Sequence, residues 1–173
     1  KSVIHPAVRK KLINSPDCYV RPVGAQILGC DPQIMAAAAV ELEKTGYDII
    51  DLNFACPVPK VLRRGRGGFL MQRPGIVRQI YQQVRKAVNC PVTMKLRAGF
   101  DSSETAREDF LQICSDGADA GVDAITIHGR TVVQRYSKKA KWSIIADVKK
   151  RFPKLTVIGS GDLLTAEAAF EAF

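Results

Sequence analysis

Five short apolar runs in this chain each carry, or lead directly into, residues able to do chemistry. Gln26 lies within VGAQIL. Asn53-Phe54-Ala55-Cys56-Pro57 follows DIIDL. Lys95 and Arg97 close VTMKLR. His128-Gly129-Arg130 follows AITI, and Gly159-Ser160-Gly161-Asp162 follows LTVI. A thiol titrates close to working pH and can hand over or take up a proton. Taken singly, Cys56 reads as a small packed hydrophobe, Gln26 as a partner for backbone groups, and His128 as a satisfied polar residue. Lys95 is harder to place that way. A lysine inside an apolar strand is costly unless it is paired or faces an anion. The coincidence of polar groups on all five runs points to a ligand site.

The runs that must position these residues are Val23–Leu28, Asp48–Leu52, Val92–Leu96, Ala124–Ile127 and Leu155–Ile158. They are rich in Val, Ile and Thr and short enough to be buried strands. Helices with clear end signals separate them. Asp31 caps a first helix, with Pro32 at its opening position and Gly46 past its end. Pro74 opens a second, whose stripe Ile76, Val77, Ile80, Val84 and Val88 has helical spacing. A third covers roughly 103–120, with Phe110, Ile113 and Cys114 inward and Gly121 as the stop. A fourth covers about 142–151, with Ile144, Ile145 and Val148 inward, and Thr165 caps a fifth. Strands alternating with helices predict parallel βαβ units of the α/β class, whose ligands gather at the carboxyl ends of the strands. Five strands do not close a (β/α)8 barrel, which takes eight and about 250 residues. The alternatives are an open doubly wound sheet or part of a barrel.

Composition narrows the class. The chain has 173 residues, 46% apolar and 25% charged, which excludes wholesale disorder. Lys and Arg number 26 against 17 Asp and Glu, a net charge of +9. That excess leaves room for an anionic partner, most naturally nucleic acid. Cysteines 18, 30, 56, 90 and 114 are odd in number and show no CxxC spacing. A disulfide framework and a zinc ribbon are poor fits, no metal is expected, and the compartment that fits is a reduced cytoplasm. No apolar run approaches membrane-spanning length, and the N-terminal KSVIHPAVRKK lacks the apolar centre of a secretory signal.

Four segments in order, DIIDLNFACPVPKV, VTMKLRAGF, AITIHGRT and VIGSGD, resemble the tRNA-dihydrouridine synthase family. That family is a TIM barrel with bound FMN, followed by a small helical domain. The resemblance implies that residues 1–173 form a partial TIM barrel holding strands three to seven, with the helical tRNA-binding domain absent from this chain. It implies FMN as cofactor, NADPH as electron donor and reduction of uridine to 5,6-dihydrouridine in tRNA. Cys56 matches the family's catalytic cysteine, giving a proton to C5 of uracil while reduced FMN gives hydride to C6. Lys95 matches a lysine against the flavin ring, Gln26 and His128 match residues at the ring, and Asn53 matches a residue that can bond a flavin or uracil edge. Arg97 is matched to the ribityl chain or the substrate, and Ser160 and Gly161 to the FMN phosphate. Two positions depart from the family's pattern. Ser160 stands where Asn is usual, and Ala55 where Gly is common. The Gly-Arg pair that follows the family's eighth strand has no counterpart in the sequence.

The cations then fall into three groups. Lys60, Arg63, Arg64 and Arg66 follow Cys56 directly. Arg135, Lys138, Lys139 and Lys141 follow the His128 strand, with Arg130 ahead of them. Lys149, Lys150, Arg151 and Lys154 sit near a helix C-terminus, where cations are favoured anyway. The first two groups, Arg130 included, are expected to position tRNA through its phosphates. The RGRGG stretch at 64–68 lacks the P-loop spacing and reads as a flexible active-site loop. The chain is expected to act as a monomer. The competing functions are a dihydroorotate-dehydrogenase-like flavoenzyme and a non-catalytic RNA-binding fragment.

Overall fold

A computed structural model of the chain describes residues 20–171. Cys18 and the N-terminal segment considered as a secretory signal lie outside the described residues. Five strands, β1 (Gly24–Ile27), β2 (Ile49–Asn53), β3 (Val92–Arg97), β4 (Ala124–His128) and β5 (Val157–Ser160), form one parallel sheet in the order 1-2-3-4-5. Between and after them come α1 (Pro32–Lys44), the short α2 (Pro59–Leu62), a 3-10 segment (Gly67–Gln72), α3 (Pro74–Ala87), α4 (Glu104–Asp119), α5 (Trp142–Arg151) and α6 (Ala166–Glu171).

The strand order decides between the two architectures. Each strand pairs with the one before it, so the crossovers always step in the same direction. Right-handed crossovers that never reverse put every helix on one face of the sheet. This is the winding of a TIM barrel and not of a doubly wound sheet, which needs a reversal. Burial follows the same division. Ile50 and Leu52 of β2, Val92, Met94 and Leu96 of β3, and Ile125 and Ile127 of β4 are sealed under the helices. Alternate residues face the other way, onto a polar surface: Gln26, Asp51, Asn53, Thr93, Lys95, Thr126, His128 and Ser160, none of them fully buried.

Local signals explain the helices. Asp31 Oδ1 accepts the Ile34 N–H at 2.9 Å, and Pro32 begins α1. Ser103 Oγ accepts the Ala106 N–H to open α4, and Gly121 takes a positive φ just past its end. Thr165 Oγ1 accepts the Ala168 N–H at the start of α6. On α3, Val77, Ile80, Tyr81 and Val84 are buried. Val77, Ile80 and Val84 each contribute about 1.5–3 kcal/mol on leaving water. Val88 lies just past the helix but remains in the core.

Two features differ from expectation. β1 is shorter than the expected Val23–Leu28, whereas the other four strands run one or two residues past the expected runs, so that Asn53, Arg97, His128 and Ser160 are sheet residues paired across neighbouring strands. The 64–68 stretch is not a loose loop. Gly67 and Gly68 are buried, and Leu70 and Met71 of the same 3-10 segment reach the core. Phe69, Leu70 and Met71 supply the apolar anchor, and the glycines allow the close approach.

Candidate active site on the concave face

The polar face of the sheet is an ordered array. Asn53 Oδ1 accepts the backbone N–H groups of Ala55 and Cys56, each at 3.0 Å. This side-chain turn pins the segment that leaves β2 and sets the Cys56 backbone at the strand's carboxyl end. Asn53 Nδ2 donates to Gln26 Oε1 at 2.7 Å, and Gln26 Nε2 donates to Asp51 Oδ2 at 2.6 Å. The Cys56 carbonyl accepts the Gly68 N–H at 3.0 Å, so the cysteine is held from both sides of its peptide unit. Its thiol is free and partly exposed.

Lys95 lies beside Asn53 in the sheet register, and its Nζ is 3.4 Å from Ser160 Oγ. Burial pushes the Lys95 ammonium below its ordinary range; Asp51 opposes that shift, and Arg97 adds to it. His128 pairs with Arg97 on one side and Ser160 on the other. Burial, then the cations Arg97, Lys95 and Arg130, hold its pKa down to about 4, so its imidazole is neutral at pH 7. His128 Nδ1 is buried without a hydrogen-bond partner among the described residues. Gly161, at φ +114, passes so close to the imidazole that a Cβ there would lie 3.2 Å from His128 Nε2.

Two expected ligand contacts prove to be engaged elsewhere. Arg97 is only 4% exposed. It donates to the Arg135 carbonyl at 2.6 Å and stacks over Tyr136, 5.6 Å from the ring centroid. It therefore ties down the loop after β4. Arg130, expected to meet a tRNA phosphate, is 7% exposed. It makes a two-pronged contact with Asp162 at 2.7 and 2.9 Å and donates to the Lys138 carbonyl. The Ala140 N–H and then Arg130 lower the Asp162 pKa. Arg130 is thus corrected from a phosphate contact to a clamp between β5's end and the β4–α5 loop. The other cations, Lys60, Arg63, Arg64, Arg66 and Arg135, are exposed. A shallow pocket of about 540 Å³, lined by Leu62 and residues 132–137, lies between α2 and the loop that carries Arg135. In the third basic group, Lys149 Nζ donates to the Pro153 and Leu155 carbonyls, just past the end of α5.

Asp51, Thr93 and Tyr136 do not stand out in the sequence as site residues, although all three serve this face. Asp51 carries a signal: an acid two residues before Asn53, in an otherwise apolar strand, must share its face. Tyr136 carries none beyond its place in a basic loop. A separate cavity of about 550 Å³ opens between α4 and α5, lined by Asp101, Arg107, Lys141 and Asp147 among others, and includes none of the concave-face residues. No group of three or more His, Cys, Asp or Glu among the described residues is arranged to hold a metal ion. No helix among them is long and apolar enough to cross a membrane.

Known proteins share this sequence pattern. The sequence model of the dihydrouridine synthase family matches residues 1–172. The chain is 38% identical over 148 residues to the probable tRNA-dihydrouridine synthase 1 of Synechocystis sp., covering 86% of this chain and 41% of that protein. It is 40% identical over 144 residues to tRNA-dihydrouridine synthase B of Pasteurella multocida, covering 83% and 42%. Against tRNA-dihydrouridine synthase B of Vibrio parahaemolyticus it is 36% identical over 161 residues, covering 93% and 48%. The chain thus spans less than half the length of these curated relatives.

Proposed function

The chain belongs to the dihydrouridine synthase family, and from that premise we propose that its concave face reduces uridine in tRNA to 5,6-dihydrouridine, with Cys56 as the proton donor. The observation that carries this reading is the anchoring of Cys56. Asn53 holds its N–H and Gly68 its carbonyl, which fixes the backbone of Cys56 at the carboxyl end of β2. FMN held at this face would supply the hydride for C6 of the uracil, with NADPH as the electron donor. The residues present fit a flavin. Gln26 and Asn53 offer amide edges, Lys95 a cation, and His128 a buried nitrogen with no protein partner among the described residues. Ser160 and Gly161 would bring backbone N–H groups toward the FMN phosphate.

Each protein group has a task. Cys56 gives its proton to C5 on the face where it is held. Lys95 places positive charge beside the ring and favours negative charge accumulating there. Neutral His128 offers a hydrogen bond without adding a further charge to that of Lys95. Arg97 and the Arg130–Asp162 clamp hold the loop after β4. Lys60, Arg63, Arg64, Arg66 and Arg135 contact tRNA phosphates, and the target base leaves its stack to reach the flavin. In this reading the five strands are strands three to seven of an eight-stranded barrel, and the remaining strands and the helical domain lie outside this chain.

The test is direct. The intact protein is expected to be yellow, with a flavin absorbance band, and to form dihydrouridine in unmodified tRNA when given NADPH. A colourless protein that binds tRNA without reducing it overturns the reading in favour of a non-catalytic RNA-binding role.

A further inference from the structure

Segments leaving β2, β3 and β4 meet around Gly68. The Gly68 N–H donates to the Cys56 carbonyl at 3.0 Å. A Cβ added to Gly68 would lie 3.0 Å from that same oxygen and 2.8 Å from each methyl of Val132. Gly68 is thus packed between the Cys56 carbonyl and the Val132 side chain. Val132 is 1% exposed. Its N–H donates to the Gly99 carbonyl at 3.1 Å, and its own carbonyl accepts the Arg135 N–H at 3.2 Å. Two flanking bonds, Ala98 N–H to the Arg130 carbonyl and Val133 N–H to the Phe100 carbonyl, run the loop after β4 alongside the loop after β3. Val132 therefore has little freedom to retreat from Gly68. Asn53 holds Cys56 at its N–H. At the Cys56 carbonyl, the donor is a glycine backed by Val132.

We propose that Val132 is a positioning residue, which presses Gly68 onto the Cys56 carbonyl and so holds the acid from the loop after β4. The link to catalysis rests on the reading of Cys56 as proton donor, whereas the packing effect does not. Branching at Cβ suits the task, because both methyls sit close to the backbone on a short, stiff side chain. Loss of those methyls leaves a void that buried surroundings fill only in part. Gly68 then has room to draw away from the Cys56 carbonyl. A methyl gained at Gly68 does the opposite and overfills the gap. The same loop carries Arg135, so the contact packs a cation assigned to tRNA and the acid assigned to the uracil into one unit.

The test is a double-variant cycle in the intact protein. Gly68→Ala is expected to slow uridine reduction roughly ten- to a hundred-fold, the scale for a displaced reacting group. Flavin reduction by NADPH is expected to stay at the parent rate. Adding Val132→Ala to Gly68→Ala clears the two contacts at 2.8 Å and is expected to recover most of the lost rate. Losses that simply add overturn the proposal. Val132→Ala alone is expected to accelerate amide hydrogen exchange at Gly68 roughly three- to ten-fold, the effect of one net hydrogen bond. Val133→Ala makes the same change on the neighbouring side chain, which is 60% exposed, and is expected to leave that exchange at the parent value. Equal exchange at Gly68 in Val132→Ala and Val133→Ala also overturns the proposal. If Gly68→Ala does not fold, the exchange comparison decides. A parent protein that does not reduce uridine refutes the functional reading alone, because exchange at Gly68 is measured without turnover.

Discussion

A Cβ added to Gly67 would lie 2.9 Å from the Cβ of Cys56 and 3.1 Å from its carbonyl oxygen. Gly67 also has a φ of +57, a conformation that costs an L side chain about 1–2 kcal/mol. Gly65 separates the two effects. Its φ is +67, but an added Cβ there would meet only the Phe69 ring, at 3.8 Å. Gly65→Ala and Gly67→Ala are therefore expected to lose similar stability from backbone strain, whereas Gly67→Ala alone displaces Cys56. Urea denaturation and the rate of uridine reduction on both variants check this. Equal losses of activity would show that the close approach to Cys56 does not matter.

Cys56→Ala removes the proposed acid and leaves the rest of the concave face in place. Positioned acid catalysis is typically worth about 10² to 10⁴-fold, and uridine reduction is expected to slow by that order. Reduction of the flavin by NADPH does not use this proton and is expected to proceed at the parent rate. Stopped-flow measurement of the two half-reactions separates them. Parent-like uridine reduction would assign the proton to another group.

The architecture is legible in the sequence where it rests on short-range signals. Pro32, Ser103, Thr165 and Gly121 mark helix ends by local hydrogen bonding and backbone geometry, and these survive any tertiary context. The barrel winding is legible only through the resemblance, because strand order is a non-local property that the periodicity of five βα units leaves open. Gln26, Asn53, Lys95 and His128 can be found as polar residues in apolar runs. What those runs do not reveal is competition for the same group. Arg97 and Arg130 are long and sit at strand ends, where ligands are the natural expectation. The fold supplies them instead with the Arg135 carbonyl and the Asp162 carboxylate, residues 38 and 32 positions away. The close packing of Gly67 and Gly68 is hidden for the same reason, since glycine signals freedom in sequence and close approach in the fold.

Arg63, Arg64 and Arg66 are exposed, and none is held in an ion pair among the described residues. Arg130 is enclosed and paired. Neutralising the three exposed arginines as glutamines is expected to weaken tRNA binding and flatten its dependence on salt. The log–log slope is expected to fall by about 0.7–0.9 for each phosphate that the variant no longer neutralises. Arg130→Gln is expected to lower the thermal midpoint and leave the salt slope near that of the parent. Binding titrations across a range of salt concentrations distinguish the two classes. A slope change confined to Arg130→Gln would reverse the assignment.

His128 makes stability depend on pH in a window that its surroundings define. Burial first, then Arg97, Lys95 and Arg130, hold its folded-state pKa at about 4, below the ordinary 6.5. Between these values the unfolded chain binds a proton that the folded chain does not, so stability rises with pH there. The neutral imidazole thus leaves the fold unpenalised above pH 6.5 and costs it progressively as the pH falls toward 4. Asp162 acts with the same sign at lower pH, because its depressed folded pKa supports the fold above the usual carboxylate range and that support fades on acidification. Urea midpoints measured between about pH 7 and 4 are expected to decline through this window, and less steeply in His128→Gln. The sequence contains only two histidines, so the His128 ring can be followed by NMR, where it is expected to remain neutral at about pH 5. An imidazole signal for His128 that titrates near 6.5 would show that the cations around it do not hold it neutral.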